Sequence, residues 1–348
     1  MAGTMKAVVL HKVNDLRIEE VPAPGAPGPD EVKVKVKNVG VCGSDVHYYK
    51  RGRIGDFIVK SPMILGHETG GEVVEVGGKV KSLQVGDKVA LEPGVPCRKC
   101  EFCKEGRYNL CQNIFFWATP PDHGSLAEYV VHPADFCYKL PEGVSTAEAA
   151  MIEPLAVGIH ACNLAQIKPG SSVAILGVGT IGQLAMQVAL AYGATQAIVT
   201  DVSQVRLNLA KEMGASLALS ADKDDVVKRV LEATGGEGVD YVLECSGAAP
   251  AIKSAVEMVK AGGTISWIGM THPPELAIDV VKAIVKEVRI QGSFRYANAY
   301  PTAINLVAAG KIKLGKLITA RYPFDRAIEA IDKCAAGAME QIKVMIDL

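Results

Sequence analysis

Val173-Ala-Ile-Leu176-Gly177-Val178-Gly179-Thr180-Ile181-Gly182 runs from four apolar residues into three glycines spaced as GxGxxG. A short, wholly apolar segment reads as a strand buried on both faces. The pattern continues as a helix through Val188, so strand, tight loop and helix follow in succession. In that context the glycines acquire roles. Gly177 permits the turn, Gly179 lets a pyrophosphate approach the backbone, and Gly182 packs helix on strand. Free N–H groups from Thr180 onward, at the positive end of the helix dipole, then face the phosphate. Asp201 ends the next strand, Ala197-Ile-Val-Thr200, nineteen residues beyond Gly182. Its carboxylate can accept both hydroxyls of an adenosine ribose and would repel a 2′-phosphate. This favours NAD over NADP, although Arg206 is near enough to accommodate that phosphate. The plain alternative is a glycine turn with no cofactor; strand, loop, helix and acid together weigh against it.

The alternation continues downstream. Val205–Lys211 fits a helix, Val239–Glu244 a strand, Ala251–Val259 a helix and Gly263–Ile268 a strand. A helix over Val280–Lys286 and a strand over Val288–Gly292 follow. Apolar strands alternating with helices imply a parallel sheet covered on both faces, the α/β class. The first 150 residues have a different texture, rich in Gly, Pro and Val. Lys6–Leu10, Glu31–Val36, Gly71–Val76 and Asp87–Leu91 alternate as half-buried strands of a β-rich, barrel-like domain. The last strands, Leu317–Ala320 and Lys343–Asp347, are expected to return to it.

Cys97-x2-Cys100-x2-Cys103-x7-Cys111 is the most specific local spacing in the chain. Four thiolates close a tetrahedral shell and leave no open position, the pattern of a structural zinc. The bacterial iron–sulfur run differs: it has three residues before its last cysteine and a proline after it. Here the gap is seven and Gln112 follows. Elsewhere Cys42, His67 with Glu68, and Glu153 offer thiolate, imidazole and carboxylate. Three such ligands leave zinc a fourth, reactive position. Each also has an ordinary reading, the cysteine as a small core residue and the His-Glu pair as a surface pair.

At 348 residues the chain suits two domains. A net charge of -1 gives no electrostatic case for nucleic acid or membrane partners. No apolar stretch suffices to span a bilayer, and the N-terminus carries no apolar leader or cleavage signal. Nine cysteines, an odd number with four clustered as ligands, favour a reducing cytoplasm over a disulfide framework.

Asn38-Val-Gly-Val-Cys42-Gly-Ser-Asp-Val-His47, Gly66-His67-Glu68, the four-cysteine lobe and the glycine loop occur in one order. That order resembles the zinc-containing medium-chain dehydrogenases along the whole chain. Within them it is most similar to the sorbitol/xylitol (polyol) type. The segments that carry this likeness are His47-Tyr-Tyr49, Gly52–Val59, Phe115–Pro121, Ile152–Ala161 and Gly292–Tyr296. The resemblance implies a GroES-like catalytic domain over 1–155, completed by 294–348, and a Rossmann NAD-binding domain over 156–293. It implies two zincs per chain. One is held by Cys97, Cys100, Cys103 and Cys111. The other is held by Cys42, His67 and Glu68, with Glu153 adjacent directly or through water. In simple alcohol dehydrogenases a cysteine stands at the position of Glu153; a carboxylate is harder and can receive a second hydroxyl.

Carried over residue by residue, Tyr48, Glu153, Arg295 and Tyr296 would touch the polyol. Ile181, Asp201, Arg206, Arg295 and the backbone of Ile268-Gly269-Met270 and Ser293-Phe294 would line NAD. Ser44 and His47 match a proton relay; Tyr49, Phe116 and His123 read as packing or loop residues. The implied reaction is oxidation of a secondary alcohol to a ketose, in a cytoplasmic homotetramer. Mammalian-type sorbitol dehydrogenases lack the complete cysteine lobe, whereas bacterial and fungal ones commonly keep it. The alternatives are a butanediol or threonine dehydrogenase of the same family, or a non-catalytic NAD-binding protein. Arg295-Tyr296 and Phe115-Phe116 favour a polyol, and the intact zinc ligands and Ser44–His47 pair argue against a non-enzyme.

Overall fold

Valines alternate with lysines in the strand Glu31–Gly40, and the alternation decides which face turns inward. Val32, Val34 and Val36 are fully buried, while Lys35 is exposed. The computed structural model describes residues 3–337 and 340–348. In it this strand is the spine of a seven-stranded, mainly antiparallel sheet. Glu68–Val76 pairs on one side of it, and Lys343–Asp347 from the far end of the chain pairs next to Val39 and Gly40. Gly40 stands opposite both Glu68 and Met345. The register therefore brings the C-terminal strand within reach of the His67-Glu68 segment.

The chain divides into two units, Met1–Glu153 with Leu314–Leu348, and Pro154–Lys313. The resemblance implies that residues 294–348 complete the first domain. The structure keeps 294–313 with the second unit instead. The helix Tyr300–Ala308 buries Tyr300 and Ala303 there, and Lys313 N–H donates to Gln187 Oε1 at 2.8 Å.

The second unit is a six-stranded parallel sheet. Its strands are β1 (Ser172–Leu176), β2 (Gln196–Asp201), β3 (Leu217–Ser220), β4 (Val239–Glu244), β5 (Val259–Trp267) and β6 (Arg289–Gly292), in the order β3-β2-β1-β4-β5-β6. The strand Leu217–Ser220 and the helix Val226–Ala233 complete the alternation and were not singled out from sequence. Chain order reverses between β1 and β4, and ligands of open α/β sheets bind at the carboxyl ends of the strands at such a point. No helix of the described residues is long and apolar enough to cross a membrane.

The cysteine lobe is tied to the first unit through Glu92, which follows the strand Lys88–Leu91 and is 1% exposed. It accepts hydrogen bonds from Tyr108 of the lobe at 2.6 Å and from Tyr138 at 3.0 Å. Burial raises the Glu92 carboxyl to about 7, against the opposing pull of the two tyrosine hydroxyls. An acid with a raised folded-state pKa stabilises the fold most below its unfolded value, and that contribution is lost as pH rises through the folded one. Wild-type stability should thus fall between about pH 4.5 and 7 by a step that Glu92→Gln lacks. Urea unfolding of both proteins at pH 5 and pH 8 checks this; an equal change in unfolding free energy between the two pH values would contradict it.

Candidate metal centre and dinucleotide site

Cys42 caps the helix Gly43–Arg51, and His67-Glu68 opens the strand Glu68–Val76. The two segments are clamped by Asp45, a buried residue that the sequence reading passed over. Its carboxylate accepts from Cys42 N–H at 3.0 Å and from Gly66 N–H at 3.1 Å, and lies 3.8 Å from His67 Nδ1. The signal was present as a helix capping box, an acid three residues after the cap. Ligand atoms of Cys42, His67 and Glu68 lie within 4.8 Å of one another. His67 Nδ1 is buried with no hydrogen bond and faces Asp45, which leaves Nε2 for a metal. Burial alone would push the imidazole down; the adjoining Cys42 and Asp45 charges outweigh it and raise His67 to about 10. Zinc would replace that proton, so these three residues fit a zinc ion as a ligand set.

Glu153 is buried and acts electrostatically on His67, but it lies outside the three-ligand cluster. A second missed residue is Lys343. It is 3% exposed, and its Nζ donates to both Glu68 oxygens at 2.6 Å and to Val41 O at 3.1 Å. Burial opposes its charge, yet Glu68 and Cys42 together raise its pKa. No local pattern pairs residues 275 positions apart. Gly40 makes the pair possible: a Cβ there would collide with the Glu68 carboxylate.

Ser44 and His47 lie half-buried on the same helix as Cys42, one turn apart, and Tyr48 is buried beside them in sequence. Phe116, read as a packing residue, places its ring 6.1 Å from that of His67. Tyr49 donates to Asp332 at 2.7 Å, and His123 Nδ1 accepts from Ile64 N–H at 3.2 Å, both packing roles. Arg295 and Tyr296 belong to the second unit. Arg295 adopts a left-handed conformation with its guanidinium 4.8 Å from the Phe294 ring, and Tyr296 is buried.

The four cysteines of the lobe converge. Cys100 and Cys103 sulfurs are 3.4 Å apart, those of Cys97 and Cys103 3.9 Å, and all four lie within 4.8 Å. Four thiolates at about 2.3 Å from one zinc would stand about 3.8 Å apart. Backbone N–H groups of Lys99 and Cys100 hold the Cys97 thiol down to about 6, while burial and its cysteine neighbours push the Cys103 thiol up. All nine cysteines are free of disulfides.

In the second unit the glycine loop is built as its spacing predicts. Gly177 has φ +87°, a Cβ at Gly179 would meet almost nothing, and one at Gly182 would strike Gly177 O. The helix α1 (Thr180–Ala191) begins there. Asp201 is buried; one carboxylate oxygen accepts from Val178 N–H and the other from Ser203 N–H, each at 2.9 Å. Arg206 Nη1 stands 3.9 Å from it. Both line a cavity of about 560 Å³ that continues past Gly177 and Gly179 to Cys245 and Ser246. Ile268 and Gly269 N–H donate to Glu244 O, and Ser293 N–H to Trp267 O, so these predicted cofactor positions sit at the carboxyl ends of β5 and β6.

Two family descriptions match the chain, "Alcohol dehydrogenase GroES-like domain" over residues 28–142 and "Zinc-binding dehydrogenase" over 180–309. The sorbitol dehydrogenase of Gallus gallus is 45% identical over 99% of this chain and 96% of its own length. Among solved structures, an Escherichia coli oxidoreductase of unknown specificity aligns with TM-score 0.94, 38% identity and 99% coverage of both chains. A Sinorhizobium meliloti zinc-binding dehydrogenase bound to NADP aligns with TM-score 0.92 and 35% identity over 99% of this chain and all of its own. The chain belongs to the zinc-containing medium-chain dehydrogenases, with a GroES-like and a Rossmann part, on the branch of the sorbitol dehydrogenases. It is a zinc- and nicotinamide-dependent oxidoreductase.

Removing the Lys343 amine should leave Glu68 as an unpaired buried carboxylate, costing the metal-free protein about 3–5 kcal/mol. Zinc bound by Glu68 would restore most of that. In Lys343→Met the gap in melting temperature between chelator-treated and zinc-loaded protein should therefore widen over wild type. An unchanged gap would remove Glu68 from the ligand set.

Proposed function

We propose that the protein oxidises a secondary alcohol of a small polyol, of the sorbitol or xylitol kind, to a ketose with NAD. One observation carries this reading: a Cys42–His67–Glu68 donor set, half-buried at the cysteine and buried at the other two, with the Glu153 carboxylate outside it. Bound zinc supplies Lewis-acid polarisation of the alcohol oxygen, and NAD accepts the hydride. Glu153, in the position that simple alcohol dehydrogenases fill with cysteine, offers an acceptor to a neighbouring hydroxyl. Tyr48, Arg295 and Tyr296 hold the rest of the polyol. Ser44 and His47, one turn apart on the Cys42 helix, carry the alcohol proton to solvent. Cys97, Cys100, Cys103 and Cys111 hold a second, structural zinc.

Asp201 sets the cofactor preference. A 2′-phosphate would bring its charge against a buried carboxylate whose oxygens are already fixed by Val178 and Ser203. Arg206, beside Asp201, is balanced by it rather than free for a phosphate. The same reading takes the protein as a cytoplasmic homotetramer. Nine unpaired cysteines suit a reducing compartment. Val280, Val281, Ile284 and Val285, all exposed on one short helix before β6, form an apolar face that a second copy would cover.

A panel of sorbitol, xylitol, butanediol and threonine with NAD and with NADP, followed by the absorbance of reduced cofactor, tests the assignment. Polyols with NAD should give the highest kcat/KM. A preference for butanediol or threonine would overturn the substrate, and equal use of NADP the role of Asp201. Cys42→Ala should abolish turnover while NADH still binds, whereas Cys100→Ser should chiefly lower the melting temperature. Full turnover in Cys42→Ala, or loss of turnover in Cys100→Ser with an unchanged melting curve, would refute those assignments.

A further inference from the structure

Glu244 closes β4 and is fully buried. An acid at a strand end ordinarily reaches water. Here its carboxylate is turned into the loop that follows. Oε1 accepts from Ser246 N–H at 2.9 Å, from Ser246 Oγ–H at 2.5 Å and from Gly247 N–H at 3.0 Å. Its second oxygen lies 3.2 Å from Gly247 N. The main-chain oxygen of the same residue accepts from Ile268 and Gly269 N–H at 2.9 and 3.0 Å. One residue thus fixes the loops after β4 and β5.

Those loops interlock with the phosphate loop. A Cβ on Gly177 would meet Ser246 Cβ at 2.6 Å, and one on Gly247, which has φ +68°, would strike Met270 O. A Cβ on Gly269 would strike Gly247 N and come within 2.9 Å of the Glu244 carboxylate. Backbone packed this closely has one arrangement or none. Asp201, Arg206, Cys245 and Ser246 all line the cavity, whereas Glu244, next to Cys245 in the chain, does not. A dinucleotide held by its ribose at Asp201 and its pyrophosphate at Gly179 must continue across the ends of β4 and β5.

We propose that Glu244 is a positioning residue for the nicotinamide half of NAD. Its carboxylate sets the Cys245-Ser246-Gly247 loop against Gly177 and against Ile268-Gly269-Met270, giving that half of the cofactor a preformed channel. The role is one of reach and acceptor geometry and not of charge. Burial of the carboxyl raises its pKa, opposed by its three donors, so the group is retained at a cost in hydration. Glu244→Gln keeps an acceptor at the Oε1 position, where all three donors converge. Glu244→Asp keeps the charge but falls one methylene short.

The inference rests on the NAD reading, and NADH binding by the zinc-loaded wild type is the control for that reading. NADH affinity, by fluorescence titration, and AMP affinity, by calorimetry, are compared across the variants. In Glu244→Asp, NADH should weaken about tenfold or more, the loss expected when buried hydrogen-bond donors are left without their acceptor. AMP should stay within about threefold, because Asp201 and Arg206 are untouched. Glu244→Gln should bind NADH nearly as wild type does. The KM for NAD should rise more than kcat falls. Wild-type NADH affinity in Glu244→Asp overturns the proposal. So does the reverse ranking of the two variants, which would make charge the determinant. Parallel loss of AMP and NADH, or failure of Glu244→Asp to fold, marks Glu244 as a residue of the fold alone and overturns it as well.

Discussion

A surplus of negative charge inside the first unit is the constraint on which the rest depends. Asp45, Glu68 and Glu153 are all buried beside Cys42 and His67, with Lys343 as the fixed cation among them. Burying unpaired charge is costly, and without metal the Lys343 ammonium and a protonated His67 offset the three carboxylates only in part. A divalent cation at Cys42, His67 and Glu68 removes the imbalance. The same surplus accounts for the neighbouring backbone. Gly40 has no side chain where Glu68 needs room, Asp45 draws two ligand segments together, and the C-terminal strand is placed to deliver Lys343.

Much of this was legible in the sequence because it is local. The roles of the three glycines, the convergence of the four cysteines and the α/β alternation each depend on residues close in the chain. Asp45 is equally local, as the acid three residues after Cys42, but its signal is that of a helix cap and not of a metal ligand. Lys343 could not be read in that way. Its partner is 275 residues away, and the strand that carries it looks like any other half-buried strand. Residues 294–313 misled for a related reason: their helix packs by tertiary contact, and no composition break marks Lys313.

Glu92 and Glu244 share a lesson. Each stands at the end of a strand, where an acid ordinarily reads as solvated, and each is instead the point at which separate loops are joined. Glu92 joins the cysteine lobe to the sheet through Tyr108 and Tyr138. Glu244 joins two strand ends to the phosphate loop. Buried carboxyls surrounded by donors are expensive to desolvate, and they specify a unique arrangement of the backbone that donates to them. In both places, motif residues suited to hold zinc or cofactor stand beside less visible acids that hold the motifs in shape.

The most direct measurement follows NAD-linked polyol oxidation as zinc is returned to chelator-treated protein, with metal content determined at each step. The protein should keep one zinc in the cysteine lobe, be inactive in that state, and regain turnover in proportion to the second zinc. Full turnover with a single zinc per chain held by Cys97, Cys100, Cys103 and Cys111 would contradict a catalytic centre at Cys42, His67 and Glu68.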